Sequence, residues 1–271
     1  AQCLVGSEMC IRDSSVGATE NAMLAACGAE GTTVIANAAR EPEIVDLQTF
    51  LQKMGAHVQG AGSSTVVVEG GAPLHGCVHT VVADRIVAAT YLAAAAGTGG
   101  DIRLEGVDYR HLSAVATMLR QAGCRLTCGE TSIRLQAPRR LQSAGPIRTA
   151  PYPGFPTDAQ AVLMASLLRS EGATVFVENI FDSRYRHVPE MVRMGADIRL
   201  EGRVAVVCGV DRLHGAAVRA KELRGGASLV LAGLQAEGET VVTGVEHIQR
   251  GYEDLTGELA QLGADIRQEE R

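Results

Sequence analysis

The most chemically suggestive stretch of this chain is a proline-rich loop that ends in a carboxylate. Pro151, Pro153 and Pro156 lie within six residues, and Asp158 follows at the start of the apolar run AQAVLMASLL. Proline fixes the backbone angle φ, so such a loop is stiff. A carboxylate on a stiff loop is suited to taking a proton from a substrate. It is equally suited to capping a helix, and the loop alone leaves both interpretations open.

Arginines mark two further places where chemistry could occur. The run at 178–190 brings four side chains of interest between a predicted strand and a predicted helix: Asp182, Arg184, Arg186 and His187. A solvated charged turn is the alternative there. Arg224 and Arg250 each stand directly before a glycine, which allows close approach of the backbone to a ligand. Arginines that converge would bind a small phosphorylated carboxylate, although each one alone could be a surface residue.

A predicted helix start near the beginning of the chain is a weaker candidate. Ser15, Val16 and Gly17 precede an apolar run, so their backbone N–H groups could face an anion. Taken alone, an ordinary helix start capped by Ser15 or Thr19 explains these residues better.

Several classes of function are disfavoured by composition and pattern. The net charge of −6 argues against a nucleic-acid or anionic-membrane surface. The GTGG run at 97–100 lacks the lysine of a phosphate loop. The seven histidines and seven cysteines show no metal-ligand spacing. The longest apolar run, 86–96, is too short to span a bilayer, and no signal peptide is evident.

Four copies of one structural unit must position these residues. Helices that close on glycine recur about seventy residues apart, at Gly55, Gly123, Gly195 and Gly263. Each unit is predicted to run helix, strand, helix and hairpin, and the last has no room for the hairpin. In the second helix of each unit, apolar residues fall on one face, as at Ile44, Leu47, Leu51 and Met54 or at Tyr252, Leu255, Leu259 and Leu262. At 271 residues, two domains are expected.

When these segments are considered together, the chain resembles the bacterial UDP-N-acetylglucosamine 1-carboxyvinyltransferases, a family of enolpyruvyl transferases. The resemblance covers roughly residues 14 to 270. Six runs carry the resemblance in family order: SVGATENAMLAA, NAAREPEIVDL, APYPGFPTDAQA, RHVPEMVRMGA, ASLVLAGL and IQRGYEDL. The implied fold is α/β, with inside-out α/β barrels built from repeated βαβαββ units and the active site in the cleft between two barrels. The implied organisation is 14–82 as the last repeat of a first barrel and 83–271 as a second barrel of three repeats. Residues 1–13 fit no repeat and are expected to be non-native or an artefact.

The resemblance also implies roles for residues that match the family's motifs. Contacts to UDP-N-acetylglucosamine are implied for Ser15, Val16, Gly17, Asp158, Ile180 and Phe181. Contacts on the phosphoenolpyruvate side are implied for Arg184, Arg224 and Arg250. Asp158 would be the general base at the sugar hydroxyl, and Asp158 and Arg250 are the implied catalytic residues. No metal or organic cofactor is implied.

The implied reaction transfers the enolpyruvyl group of phosphoenolpyruvate to the 3′-hydroxyl of UDP-N-acetylglucosamine, the first committed step of peptidoglycan synthesis in the cytoplasm. The two small-molecule substrates are the implied partners, without nucleic acid or membrane. Two departures stand out: Glu222 replaces the family's aspartate, and the family's first two repeats, with a Lys-Asn pair and a cysteine loop, have no match. We therefore expect the isolated chain to be inactive. The alternatives are a 3-phosphoshikimate enolpyruvyl transferase, or a non-catalytic fragment or binding module.

Overall fold

The structure, a computed structural model, describes residues 8–10 and 15–269 of the chain. This part divides into two compact units. Unit 1 extends to Val82 and includes Pro151–Gly154, and unit 2 comprises Ala83–Ala150 and the residues from Phe155 onward.

Unit 1 is a four-stranded sheet covered by two helices. Its elements are β1 (Glu8–Cys10), α1 (Val16–Cys27), β2 (Thr32–Ala36), α2 (Pro42–Lys53), β3 (His57–Gln59) and β4 (Thr65–Glu69). The strand order is β1-β2-β4-β3, with β1 parallel to β2 and the other pairs antiparallel. Residues 8–10, which fit no sequence repeat, thus add a strand to this sheet. The other residues of the segment 1–13 lie outside the described part.

The core of unit 1 is small. The sheet contributes Ile35, Val66 and Val68, and α2 contributes Ile44 and Leu51 on its predicted inner face. Helix α1 packs only one side onto this core and leaves Leu24 51% exposed.

Unit 2 contains the other three repeats. Its first repeat comprises α3 (Arg85–Thr98), β5 (Asp101–Glu105), α4 (Ser113–Gln121), β6 (Arg125–Cys128) and β7 (Ser132–Gln136). Its second comprises β8 (Ile147–Arg148), α5 (Thr157–Ser166), β9 (Ala173–Val177), α6 (Val188–Arg193), β10 (Asp197–Glu201) and β11 (Val204–Cys208). Its third comprises β12 (Leu213–His214), β13 (Ala217–Arg219), α7 (Leu223–Gly233), β14 (Ala236–Glu237), β15 (Val241–Thr243) and α8 (Leu255–Gln261).

The strands of unit 2 form small sheets, each with one face partly exposed to solvent. Their orders are β5-β7-β6, β10-β11-β9-β8, β12-β14 and β13-β15. The pairs β8–β9, β12–β14 and β13–β15 are parallel, as crossover connections require. Burial alternates along strands such as β11, so each strand has an inner and an outer face.

Three helices, α3, α5 and α7, occupy the interior of unit 2. Every residue of α5 from Ala159 to Ser166 is buried, and α3 and α7 are buried along most of their length. A helix that is apolar around its whole circumference must be surrounded by protein. The sheets therefore lie outside the helices, and the predicted inside-out α/β architecture is confirmed for this unit.

The four predicted glycines end the second helix of each repeat in the same conformation. Gly55, Gly123, Gly195 and Gly263 have φ values of 99°, 95°, 93° and 97°, a left-handed region that favours glycine and turns the chain out of the helix. The predicted inward position of Leu262 is wrong, because α8 ends at Gln261 and Leu262 is 57% exposed. Residues 264–269 form no strand that could cover it.

We expect amide hydrogen exchange to be faster in α1 and β2–β4 than in α3, α5 and α7. The reason is that the core of unit 1 is smaller and leaves one side of α1 exposed, so local opening exposes less apolar surface. Hydrogen-exchange mass spectrometry of the intact chain measures this difference. Equal protection of the two sets of elements would contradict it.

Candidate functional site

Asp158 lies in the first turn of α5, where its side chain is free of any capping role. The helix begins at Thr157, and the preceding residue, Pro156, makes no side-chain cap. The loop before it is closed by the Ala150 N–H, which donates to the carbonyl of Phe155 at 3.0 Å. The N-cap interpretation of Asp158 is therefore wrong. Its carboxylate is directed to other side chains instead.

Two guanidinium groups hold the Asp158 carboxylate. Arg184 Nη2 donates to Asp158 Oδ1, and Arg224 Nε lies 3.7 Å from Asp158 Oδ2. The Asp158 side chain is 44% exposed, whereas that of Arg224 is only 10% exposed. The structure thus brings together three of the predicted site residues from separate segments. An accessible carboxylate between two arginines can accept a proton, and the arginines can bind an anion.

Arg224 is held in place but not fully satisfied. Its guanidinium carbon lies 5.3 Å from the centre of the Tyr252 ring, and the Tyr252 hydroxyl is 2.7 Å from that of Thr90 on α3. Within the described part of the chain, Arg224 Nε and Nη1 are buried without a hydrogen-bond partner. Burying a charge with unmet donors is costly. This arrangement is typical of a site whose remaining partner is an anionic ligand.

Glu222 caps helix α7. Its carboxylate accepts from the Arg224 N–H at 2.9 Å and from the Gly225 N–H, so it satisfies two free donors of the first turn. Asp84 makes the equivalent two-amide cap at the start of α3 with a shorter side chain. The backbone of Arg224 is fixed by this cap.

His187 lies beneath the site in a neutral state. It is 3% exposed, and among the residues described neither ring nitrogen has a hydrogen-bond partner. Burial, with a smaller contribution from the nearby Arg184 charge, lowers the pKa of His187 to about 3. Burial also raises the pKa of the adjacent Tyr185 to about 12. The solvated-turn interpretation is therefore wrong for this histidine.

The turn from 178 to 187 presents apolar and cationic groups side by side. Ile180 and Phe181 are exposed, and the Arg184 guanidinium lies 5.4 Å from the Phe181 ring centre. Ser183 has a φ of 56°, which is uncommon for a non-glycine residue. Asp182 is at the surface and pairs with Arg203 at 2.5 Å, as expected for a solvated charged turn.

Sequence reasoning missed the residue that organises this turn. Glu178 is 1% exposed, and its carboxylate accepts from the hydroxyls of Thr149 and Thr157, both at 2.9 Å. It also accepts from the N–H groups of Ile180 and Phe181. A charged residue directly after the apolar strand sequence TVFV is the only sequence signal. Its partners lie 29 and 21 residues away along the chain, where no local pattern indicates them.

Arg250, also predicted for this site, does not bond to the Asp158 cluster. Arg250 is exposed, and in the described ranges 8–10 and 15–269 it forms no hydrogen bond or ion pair. It stands between the buried Ile248 and Tyr252, and the neighbouring Gly251 lies close against Leu223 at the start of α7.

Ser15, Val16 and Gly17 belong to unit 1. Ser15 is the N-cap of α1 and accepts from the Ala18 N–H at 3.4 Å, as the ordinary helix-start interpretation predicts. The space beside Gly17 is open, since a Cβ there would meet no atom within 4 Å. Thr19 braces this turn by donating to the Ser15 carbonyl and accepting from the Ala39 N–H at 2.9 Å.

Two other kinds of feature are absent from the described residues. They contain no group of three or more histidine, cysteine, aspartate or glutamate side chains arranged to hold a metal ion. None of their helices combines the length and apolar character that crossing a bilayer would need.

Comparisons with known proteins agree on one family. Residues 3–259 match the family model of EPSP synthase (3-phosphoshikimate 1-carboxyvinyltransferase). Curated relatives include UDP-N-acetylglucosamine 1-carboxyvinyltransferase 2 of Caldanaerobacter subterraneus subsp. tengcongensis, 52% identical over 96% of this chain and 63% of its own length. Another is UDP-N-acetylglucosamine 1-carboxyvinyltransferase 1 of Symbiobacterium thermophilum, 51% identical over 97% of this chain and 59% of its own length. The chain thus spans about three fifths of these relatives.

Solved structures show the same fold. The enolpyruvyl transferase NikO from Streptomyces tendae superimposes with a TM-score of 0.89 at 28% identity, covering 98% of this chain and 66% of that one. EPSP synthase from Acinetobacter baumannii superimposes with a TM-score of 0.76 at 22% identity, covering all of this chain and 65% of that one. The latter similarity is evidence for the fold alone.

We expect Asp158→Asn to tighten the binding of inorganic phosphate to this chain about twofold to tenfold. Asp158 occupies two guanidinium groups that an anion would use, and partly exposed ion pairs are each worth about 0.2–1 kcal/mol. Isothermal titration calorimetry at fixed ionic strength measures the change. Asp101→Asn is the matched control, because Asp101 is also 44% exposed and pairs with Arg134 at 2.7 Å. Unchanged or weaker phosphate binding by Asp158→Asn would contradict this expectation.

His187→Leu should flatten the acid dependence of stability. With a folded pKa of about 3 against 6.5 for an unperturbed histidine, His187 takes up a proton on unfolding at any pH between these values. The free energy of unfolding therefore falls as the pH drops below 6.5, by up to about 1.4 kcal/mol per unit. Melting temperatures from pH 7 to pH 4 should decline less steeply in this variant than in wild type. The exposed His214, changed to Leu, is the control, and parallel curves for wild type and His187→Leu would refute the assignment.

Proposed function

The chain belongs to the EPSP synthase (3-phosphoshikimate 1-carboxyvinyltransferase) family, and from this premise we propose that it carries part of the active site of an enolpyruvyl transferase. The proposed reaction transfers the enolpyruvyl group of phosphoenolpyruvate to the 3′-hydroxyl of UDP-N-acetylglucosamine and releases phosphate. The names of the curated relatives at about 50% identity support this acceptor. Because the chain spans about three fifths of those relatives, the activity is proposed for the protein completed by the remaining portion.

The observation that carries the proposal is the half-exposed Asp158 carboxylate between a buried and a partly buried arginine. A phosphorylated carboxylate needs cations, and the unmet guanidinium nitrogens of Arg224 supply donors for it. Charge-assisted hydrogen bonds from such groups contribute about 1.5–3 kcal/mol each. The attacking hydroxyl needs a base, which Asp158 supplies.

Each residue then has a defined task in the proposed reaction. Asp158 removes the proton of the sugar hydroxyl as its oxygen attacks C2 of phosphoenolpyruvate, while the C2=C3 double bond opens and C3 takes up a proton from a donor in the remaining portion of the protein. Loss of one C3 proton and departure of phosphate then restore the double bond in the product. Arg184 and Arg224 bind the anionic groups of phosphoenolpyruvate and stabilise charge as phosphate leaves. Arg250, exposed beside the start of α7, adds a third cation to this side.

The nucleotide sugar is proposed to contact two further sets of residues. Ile180 and Phe181 offer exposed apolar surface, and the start of α1 at Ser15, Val16 and Gly17 offers backbone N–H groups suited to a diphosphate. We infer a cytoplasmic enzyme of peptidoglycan synthesis, with the two substrates as its only small-molecule partners. The free thiols of the described cysteines are in keeping with a reducing compartment.

A shikimate 3-phosphate acceptor is the second candidate, since the family model bears that name. Structural similarity to EPSP synthases at 22% identity is evidence for the fold and does not bear on the acceptor. Comparing phosphate release from phosphoenolpyruvate with each acceptor distinguishes the two. The assay uses this chain joined to the part of the Caldanaerobacter relative that it does not match.

In that completed enzyme, Asp158→Asn should reduce kcat by about 10²–10⁴ and leave the melting temperature nearly unchanged. The amide keeps the shape of the side chain but cannot take the proton, and no helix cap is lost. Steady-state phosphate release and thermal melting are measured in parallel, with Asp101→Asn as the control. If Asp158→Asn turns over at a near-normal rate, Asp158 is not the general base.

A further inference from the structure

Glu178 is a buried carboxylate that follows β9 and is 1% exposed. In the part of the chain that the structure describes, no cation forms an ion pair with it, and its hydrogen-bond partners are hydroxyl and backbone N–H donors. Such a group is stable only when its lone pairs are satisfied. Four donors meet this requirement, at distances of 2.9 to 3.1 Å.

The four donors come from three separate segments. Thr149 follows β8 and donates to Glu178 Oε1. Thr157, the first residue of α5, donates to Glu178 Oε2. The N–H groups of Ile180 and Phe181 donate to Oε1 from the turn that leads to Arg184.

A second residue reinforces the connection to Thr149. The Asn179 N–H donates to the Thr149 hydroxyl at 2.8 Å, and the Asn179 side chain donates to the Thr149 carbonyl at 3.1 Å. The end of β8 and the start of the 178–187 turn are therefore joined at several points. The Thr157 hydroxyl links the Glu178 carboxylate to the helix that bears Asp158.

We propose that Glu178 is a positioning residue that acts through Thr157 on Asp158 and through the 180–181 amides on the turn that bears Arg184. The inference rests on the proposed function, because it concerns the placement of the base and of one anion-binding arginine. Glu178 itself touches neither substrate. Its carboxylate sets the relative position of the two segments whose side chains meet in the Asp158–Arg184 pair.

The kinetic consequence follows from the sensitivity of proton transfer to geometry. A displacement of about 1 Å at a reacting group can reduce the rate by about 10²-fold. Thr157→Val removes the hydroxyl that donates to Oε2 while keeping the side-chain volume. We expect kcat of the completed enzyme to fall by about 10- to 100-fold, with a smaller change in KM for phosphoenolpyruvate.

Two matched variants separate positioning from a general loss of stability. Thr157→Ser keeps the hydroxyl and should restore kcat. Thr174→Val removes another buried threonine hydroxyl, which accepts from the Ala144 N–H at 3.0 Å elsewhere in the same sheet, and should lower the melting temperature without lowering kcat. If Thr157→Val loses as much stability as Thr174→Val but keeps its kcat, Glu178 has only a structural role.

Glu178→Gln tests whether hydrogen bonding or acid–base chemistry is involved. The amide oxygen can still accept from Thr149 and the two backbone N–H groups, and the amide nitrogen can donate to the Thr157 hydroxyl after it rotates. We expect kcat to fall by less than about tenfold, with the pH–rate profile unchanged. A loss as large as that of Asp158→Asn would show that Glu178 takes part in proton transfer, and would overturn the positioning role.

Phosphate binding by the 271-residue chain provides a test that does not depend on turnover. When Thr157→Val displaces Asp158 from its arginines, inorganic phosphate should bind more tightly, toward the affinity of Asp158→Asn. Thr157→Ser should bind phosphate like wild type. If the completed wild-type enzyme releases no phosphate with either acceptor, the proposed function fails, and the positioning role is judged by this measurement. An unchanged phosphate affinity in Thr157→Val would overturn the positioning role of Glu178.

Discussion

Unit 2 depends on burying three helices that have almost no polar side. Because α3, α5 and α7 cannot face water along most of their length, the sheets must enclose them, and their charged residues lie in their first turns. Asp158 lies in the first turn of α5, and Arg224 in the first turn of α7. The apolar interior thus decides where the chemistry can be located, since it leaves the helix starts as the nearest positions that water and ligands can reach.

The charged cluster at these helix starts keeps an excess of positive charge and is incompletely bonded. Asp158 offsets part of the positive charge of Arg184 and Arg224. A protonated histidine beneath them would add a third cation in a low-dielectric environment, and burial keeps His187 neutral instead. The buried nitrogens of Arg224 remain the unmet part of this arrangement, which gives an incoming anion a partner that is already desolvated.

Much of the fold and part of the site were predictable from the sequence. The regular spacing of four glycines predicted the helix ends, because a left-handed exit from a helix demands glycine whatever its surroundings. Asp158, Arg184 and Arg224 were recognisable as unusual residues at repeat joints. Their mutual contacts, the capping role of Glu222 and the burial of His187 were not predictable, because apolar periodicity indicates which face is buried but not which polar groups meet there. Glu178 illustrates the limit, since a charge after a strand gives no indication of partners 21 and 29 residues away.

Glu178 holds the 180–181 turn through its backbone and not through its side chains. It bonds the backbone amides of Ile180 and Phe181, groups that nearly every amino acid carries, and it leaves their side chains exposed. The two positions can therefore change identity without loss of the scaffold that places them. Exchanging these two surface side chains would change the apolar surface beside the Arg184 guanidinium, while the carboxylate beneath them and the backbone that it holds stay the same.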